Sequence, residues 1–457
     1  MTFDTTQIAQ ITQRAKDILR ANDVNGIFTK PGPRQYPHQW NWDSATVALG
    51  LATYDLPRAF AEARSLIAGQ WVDGMIPHVI YHTGVSDYFP DPEFWQIHTS
   101  PFAPKVQTSG ITQPPLLATM ARRIYEFIAQ TSPARESTML EFLREIHPAL
   151  VRWHRWLHTA RDADGSGLCC LIHPWESGTD DSPRWLKAFE RIHPVDVPLY
   201  KRRDTVHVHA SFRPTKHEYD RYVHLIDVFR RNRYEPAALL ARSPFLAQDI
   251  LFNSILHRAD EDLAWMARVL GESDAEIQGW MQRTHANFDA HHWDDVCGLY
   301  FDRDVRAGCR LEVNTAMTFA PLYAGLASAK QAERLIVHLA DVNEYDFSPD
   351  RSSRLRYGIT STAFSEAVWD AQRYWRGPSW IILNWILAQG FRRYGYETLY
   401  QRAKQDSLDL IVRTGFYENY DPRDGAGCGS ADFSWPAALW MIFNEVDQVA
   451  QVSSRVK

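Results

Sequence analysis

Apolar residues recur at helical spacing over most of the chain. Within 5–22, Ile8, Ile11, Ala15, Ile18 and Leu19 fall on one face, which predicts an amphipathic helix. The run SATVALGLA after Asp43 predicts a second helix with Asp43 as its N-cap, and 57–70 a third opened by Pro57. The pattern resumes after Gln113-Pro-Pro115 through LLATMARRIYEFIAQ. It predicts further helices near 136–159, 220–232, 244–270, 274–290, 314–327, 330–341, 379–394, 396–413 and 435–450. Alternation around Tyr300 to Val305 predicts a short hairpin within 293–311. Some twelve helical segments with so little sheet must pack on one another. The count fits an all-α ring of helix pairs with functional loops gathered at one end. No tandem repeat of the solenoid kind is present.

Two stretches break the periodicity. One runs from Gly74 through Tyr88 to Trp95 and on toward 112; the other, irregular and basic, covers 186–219. Long non-periodic stretches inside a compact domain signal function or disorder, and the aromatic content of the first favours function. Both are expected to form a lid over a single catalytic domain of residues 1–457.

The chemistry concentrates in loops before helices. His173 to Trp185 places Glu176, Asp180 and Asp181 between Trp175 and Trp185, punctuated by Gly178 and Pro183. A carboxyl held against indole faces is poorly solvated, so its pKa rises and it can donate a proton near neutrality. The alternative is an acidic surface loop with Asp180 or Ser182 capping a helix. An aromatic loop covers 31–43, an aromatic-cationic one 373–380, and Glu418 lies between Tyr417 and Tyr420 before a glycine-rich segment and Phe433-Ser-Trp435. Glycoside hydrolysis needs one carboxylic acid for the leaving oxygen and a second carboxylate as base or nucleophile. In an inverting enzyme the two stand about 6.5–9.5 Å apart, with a water between. Asp180 and Glu418 are remote in sequence, so only a closed fold brings them together.

Composition narrows the class. Hydrophobic residues at 45% and charged residues at 23% describe an ordinary globular chain. A net charge of −6 offers no field for nucleic acid or an anionic membrane, and no apolar run of about 18 residues occurs. The N-terminus lacks a basic segment followed by an apolar run, so no signal peptide is expected. Five cysteines without a C-x-x-C pair point to reduced thiols and a cytoplasmic protein. His207, His209, His217, His291 and His292 make no metal-site spacing, and no phosphate-binding glycine loop occurs, so neither metal nor cofactor is expected. The 17 Trp, 19 Tyr and 22 Phe suit the faces of sugar rings, with core packing as the alternative.

Trp175-Glu-Ser-Gly-Thr-Asp180 with Ser182-Pro-Arg-Trp185 resembles the signature shared by trehalases and the processing α-glucosidase I family. Tyr374-Trp-Arg-Gly-Pro-Ser-Trp380 with Asn384-Trp385, and Phe416-Tyr-Glu418 with Tyr420-Asp421 and Phe433-Ser-Trp435, resemble two further signatures of that clan. The resemblance runs from about residue 30 to the C-terminus. It implies an (α/α)6 barrel and an inverting mechanism, with Asp180 as general acid and Glu418 as general base. Within the clan the chain is most similar to bacterial glucosylglycerate and mannosylglycerate hydrolases. The matching residues are Tyr36, Trp40, Trp42, Asp43, His78, Tyr88, Gln113, Trp175, Gly178, Arg213, Tyr219, Tyr374, Trp375 and Trp380. By that resemblance Tyr36, Trp40, Trp42, Asp43, Gln113, Trp175, Trp375 and Trp380 shape a sugar pocket. Tyr88, Arg213 and Tyr219 contact a glycerate. The chain departs from the pattern near the end of the glycine-rich segment. There a glutamine is expected and Asp432-Phe433 stands, and a carboxylate at that place would repel glycerate.

An arginine grips a carboxylate through two parallel N–H bonds, which an acidic aglycone requires and a neutral one does not. From the residues alone Arg213 reads equally as a solvated loop arginine or a surface ion pair, and Asp43 as a cap. The expected partner is a small glycoside, with no nucleic acid and no membrane; a homo-oligomer stays open. Three other readings stay open too: a glucosidase or trehalase acting on a neutral glycoside, a sugar epimerase, and a carbohydrate-binding protein on the same fold.

Overall fold

The computed structural model describes residues 4–82, 88–206, 208–349 and 357–449. Twelve helices alternate between an outer and an inner position. The outer set is α1 (Thr5–Asn22), α3 (Leu56–Ala68), α5 (Glu136–Ala160), α7 (Ala275–His292), α9 (Ala329–Ala340) and α11 (Glu397–Thr414). The inner set is α2 (Asn41–Ala52), α4 (Leu117–Thr131), α6 (Ile250–Leu270), α8 (Ala320–Ala324), α10 (Ile381–Arg393) and α12 (Ser434–Met441). Each inner helix packs on the next, α12 packs back on α2, and α1 packs on α12, so the ring closes. Sequence explains the division. Every residue of α2, α8 and α12 is buried, as expected of helices apolar all round. The outer helices bury one stripe only; α9 buries Gln331, Ala332, Leu335 and Leu339.

The connections decide where a site can form. Inner-to-outer links are tight turns: 53–55, 132–135, 271–274, 325–328 and 394–396. Outer-to-inner links are long: 23–40, 69–116, 161–249, 293–319, 341–380 and 415–433. Because every long link enters an inner helix at its N-terminus, all six reach the same end of the ring. The 161–249 link is braced by a four-stranded antiparallel sheet of Cys170–Leu171, Ala247–Gln248, Asp302–Asp304 and Cys309–Leu311. The expected hairpin supplies the last two strands.

Several boundaries differ from the periodicity. The 244–270 helix begins at Ile250, because the Asp249 carboxylate accepts from the Leu251 and Phe252 N–H groups at 2.7 and 3.0 Å and caps it there. The expected 314–327 helix is a 3₁₀ turn, Ala316–Phe319, followed by α8, whose first turn holds Pro321. The 220–232 helix starts at Lys216 on a Thr215/Glu218 capping box. A helix at Pro236–Arg242 was not foreseen. The 435–450 helix continues past α12 as a π turn, Ile442–Val446, and residue 450 is outside the described residues.

Candidate active site

One cavity opens at the N-terminal end of the inner ring. Its wall includes Tyr36, Trp40, Trp42, Asp43, His78, Tyr88, Gln113, Trp175, Gly178, Asp180, Arg213, Tyr219, Tyr374, Trp380 and Glu418. Thus fifteen of the sixteen residues expected from sequence meet on one surface, thirteen from five of the six long links and two, Trp42 and Asp43, from the first turn of α2. The exception is Trp375. Its ring stacks behind Trp380, with centroids 3.8 Å apart and planes 2° from parallel, and it backs the wall rather than lining it. Pro31, Asp204, Pro214, Phe433 and Trp435 also line the cavity. The last two belong to a motif noted in the sequence. Asp204, bonded to Arg202 at 2.5 Å, sits in the irregular basic stretch, where no pattern marks it.

The three carboxylates of the 173–185 loop have separate fates. Glu176 is fully buried and bidentate to Arg161 at 2.7 and 2.9 Å. Asp181 pairs with Arg376 at 2.9 Å and Arg373 at 3.4 Å, which also hold Glu218. Both are structural. Asp180 alone keeps accessible surface, and that surface is on the cavity. Its position is fixed by its neighbours. Arg184 donates to Thr179 Oγ1 at 2.6 Å and to Asp302 at 2.8 Å, and pairs with Asp249, the cap of α6. Gly178 lies so close to Trp42 that a Cβ would meet the ring at 2.8 Å. Burial, then the adjacent Asp181 charge, push the Asp180 carboxyl up to about 7 against the pull of Arg213.

Glu418 is held in the opposite manner. Its Oε1 accepts from the Tyr36 hydroxyl at 2.6 Å, and its Oε2 from Arg213 Nη2 at 2.6 Å and the Ser430 N–H at 3.1 Å. The Arg213 guanidinium also lies 4.3 Å over the Tyr374 ring, and Tyr374 holds a left-handed φ of 35°. Arg213 is therefore neither solvated nor in a surface pair: it is 3% exposed and completes a buried ion pair with Glu418. The glycine-rich segment gains a purpose here. Gly429, at φ 73°, lets the backbone approach Glu418 so closely that a Cβ would stand 2.4 Å from Oε2.

Burial acts on two further ionisable groups of the wall, Asp43 and His78. Asp43 is not a cap; the N-cap position of α2 is Trp40, and Asp43 sits in the first turn, 4% exposed. Burial, then the charge of Glu418, push its carboxyl up to about 8. Burial lowers His78 to about 3, so its imidazole is neutral. Gln113 Oε1 has no partner among the described residues. Asp432 faces away: its carboxylate is exposed, 3.7 Å from Arg14, and only Phe433 reaches the cavity. The repulsion expected from Asp432 therefore does not arise at the wall. Among the described residues no cluster of His, Cys, Asp or Glu is arranged to hold a metal, and His207 is outside them. The five cysteines are free.

An (α/α)6 barrel carrying an aspartic acid raised to about 7 and an ion-paired glutamate on one aromatic cavity is the framework of a glycoside hydrolase. The comparisons agree. The model of the mannosylglycerate hydrolase MGH1-like glycoside hydrolase domain matches residues 36–436, and the chain belongs to that family. It is 42% identical to mannosylglycerate hydrolase MGH1 of Selaginella moellendorffii over 96% of this chain and 86% of that protein. It is 36% identical to a glucosylglycerate hydrolase of Mycolicibacterium hassiacum over 94% and 96%. The crystal structure of the GH63 mannosylglycerate hydrolase of Thermus thermophilus with Tris and D-glycerate superposes with a TM-score of 0.87 at 40% identity. That match covers 95% of this chain and 100% of the other.

Proposed function

We propose that this chain hydrolyses the α-glycosidic bond of 2-O-(α-D-mannosyl)-D-glycerate with inversion, releasing mannose and glycerate. The observation that carries the reading is the opposed setting of two carboxyl groups on one cavity: Asp180 raised to about 7, Glu418 ion-paired with Arg213. Such a pair divides acid from base. In this reading protonated Asp180 gives its proton to the glycosidic oxygen as the anomeric C–O bond breaks. Glu418 takes a proton from the water that attacks the anomeric carbon from the opposite face. Tyr36, Arg213 and the Ser430 N–H aim the Glu418 carboxylate. Asp43 and Gln113 bind sugar hydroxyls, and Trp40, Trp42, Trp175 and Trp380 face the ring.

Tyr88, Tyr219 and Arg213 meet the glycerate. Arg213 is the only cation lining the cavity among the described residues, and a guanidinium has five N–H donors, enough to serve Glu418 and a substrate carboxylate together. The two long links meet over the cavity, where Phe89 stacks on Tyr200 at 4.9 Å and the Tyr219 hydroxyl donates to the Phe89 carbonyl at 3.4 Å. These contacts support a lid formed by 74–112 and 186–219, on one catalytic domain spanning the chain.

A second substrate, 2-O-(α-D-glucosyl)-D-glycerate, is favoured by the 36% identical glucosylglycerate hydrolase. We read the protein as cytoplasmic, with no nucleic-acid or membrane partner. Five free thiols and a net charge of −6 support this, and among the described residues no helix is long and apolar enough to cross a membrane.

The test is proton NMR of the protein with each glycerate, with trehalose and with methyl α-mannoside. Release of β-hexose first, from the glycerates far faster than from the neutral glycosides, is expected. The α-anomer first, or comparable rates on neutral glycosides, would overturn the assignment.

A further inference from the structure

A second cavity, of about 340 Å³, lies among the inner helices away from the substrate loops. Its wall comes from α4, α6, α8 and α10 and carries five arginines, Arg122, Arg123, Arg258, Arg392 and Arg393, against one carboxylate, Glu261. None of these residues lines the active-site cavity.

The nearby carboxylates are already engaged. Asp262 holds Arg122 at 2.9 Å and Arg258 at 3.0 Å, Glu261 holds Arg393 at 2.8 Å, and Asp447 holds Arg123 through Nη2 and Gln389 at 3.0 Å. Arg392 differs. Its guanidinium stacks 3.5 Å over the Tyr400 ring, which fixes its plane. Among the described residues it pairs with Glu397 at 3.8 Å, a contact too long for a hydrogen bond. Arg392 Nε and Nη2, Arg123 Nε and Trp385 Nε1 are all buried without an acceptor among the described residues. Trp385 itself is wholly buried.

Native proteins rarely leave such groups unpaired, and each exception calls for a missing partner. Here the orphaned atoms belong to side chains that only donate. What they lack is an acceptor. The five arginines are balanced by Glu126, Glu261, Asp262, Asp447 and Glu397, so the choice of a negative acceptor rests on the unfilled guanidinium N–H groups of Arg392 and Arg123, which bond an anion more strongly than a neutral oxygen. A water accepts two hydrogen bonds, whereas a tetrahedral oxyanion presents several oxygens to a guanidinium fork and an indole N–H together.

We propose that this second cavity binds a small tetrahedral oxyanion of the phosphate class, seated on Arg392 and the Trp385 indole, with Arg123 alongside. The ligand is free phosphate or the phosphoryl group of a small metabolite. Because α4, α6 and α10 also carry substrate loops at their N-terminal ends, an occupied site braces the ring that supports catalysis.

The test is calorimetric titration of the intact protein with inorganic phosphate and, separately, with glycerol phosphate. Thermal unfolding is followed in the same ligands and in chloride of equal ionic strength. Saturable binding and a rise in Tm of a few degrees at a hundredfold excess over Kd are expected, with no rise in chloride. Tighter binding of glycerol phosphate assigns the site to a phosphorylated metabolite; equal or tighter binding of phosphate assigns it to the free ion. Arg392→Gln should abolish the response and Arg392→Lys weaken it at least tenfold, both with unchanged hydrolysis at the other site. Should Arg392→Gln not fold, the wild-type titration and Arg392→Lys still decide. No saturable binding up to 10 mM, on the order of a weak-site limit, an equal effect of chloride, or full binding by Arg392→Lys would overturn the proposal.

Discussion

Replacing Gly429 by alanine tests whether the glycine-rich segment exists to seat Glu418. The new Cβ would lie 2.4 Å from Glu418 Oε2 and 2.9 Å from Glu418 Cβ, about 1 Å short of ordinary contact for the carboxylate oxygen. Glu418 must therefore retreat, and the 2.6 Å bonds from Tyr36 and Arg213 must lengthen or break. A misplacement of that size in a catalytic group costs roughly 10²-fold in turnover. The backbone contributes separately: a non-glycine residue at φ 73° costs about 1–2 kcal/mol. Gly425 separates the two effects. It has a similar φ of 76°, but the nearest atoms to its added Cβ belong to Arg413, Tyr357 and Leu410, none closer than 3.1 Å. Both alanine variants should lower Tm by a similar few degrees, while only Gly429→Ala loses about 10²-fold in kcat on mannosylglycerate. Turnover by Gly429→Ala within threefold of wild type, or an equal loss in Gly425→Ala, would refute the reasoning.

Other outcomes follow from the same geometry. Asp180→Asn should lose about 10²–10⁴-fold in kcat while still binding substrate, and wild-type kcat/KM should fall as pH rises through about 7, where Asp180 gives up its proton; a flat profile to pH 9 would reject Asp180 as the acid. Asp43 titrates at about 8 in the folded chain and near 3.9 unfolded, so between those values the folded state holds the extra proton and its stability declines as pH rises. Asp43→Asn should flatten that decline in Tm between pH 4 and 8, and an unchanged slope would show that Asp43 is not the group responsible. Arg213→Ala should lower kcat on neutral and acidic glycosides alike, because the arginine aims Glu418 besides meeting a glycerate; a pure KM effect confined to acidic substrates would leave it only the second role. Asp432→Asn should leave KM for mannosylglycerate within twofold, and a marked drop would mean that its charge is felt in the cavity.

Much of this protein was legible one residue at a time. Helical periodicity gives the alternating helices because an outer helix must bury one stripe and an inner one must bury all round; Ala15, Ile18 and Leu19 of α1 are the buried stripe that the spacing predicts. The loops rich in tryptophan and carboxylate mark the site because such residues rarely gather outside a core or a pocket. Periodicity alone misses local geometry of two kinds: Asp249 caps α6 and moves its start, and Trp375 and Trp380, five residues apart, stack so that only one faces the cavity.

The sequence by itself determined the elements, their order and the residue types for glycoside chemistry, because these follow from side-chain period and intrinsic reactivity. Only the tertiary structure decided what each charge does. Glu176, Asp180 and Asp181 are near neighbours in the chain with similar intrinsic acidity. Arg161 claims the first and Arg376 the third, while the second is left in a poorly hydrated hollow without a cation bonded to it. Partners brought from remote positions, and the water they exclude, set the free energy of a charge, and the chain order does not encode them locally.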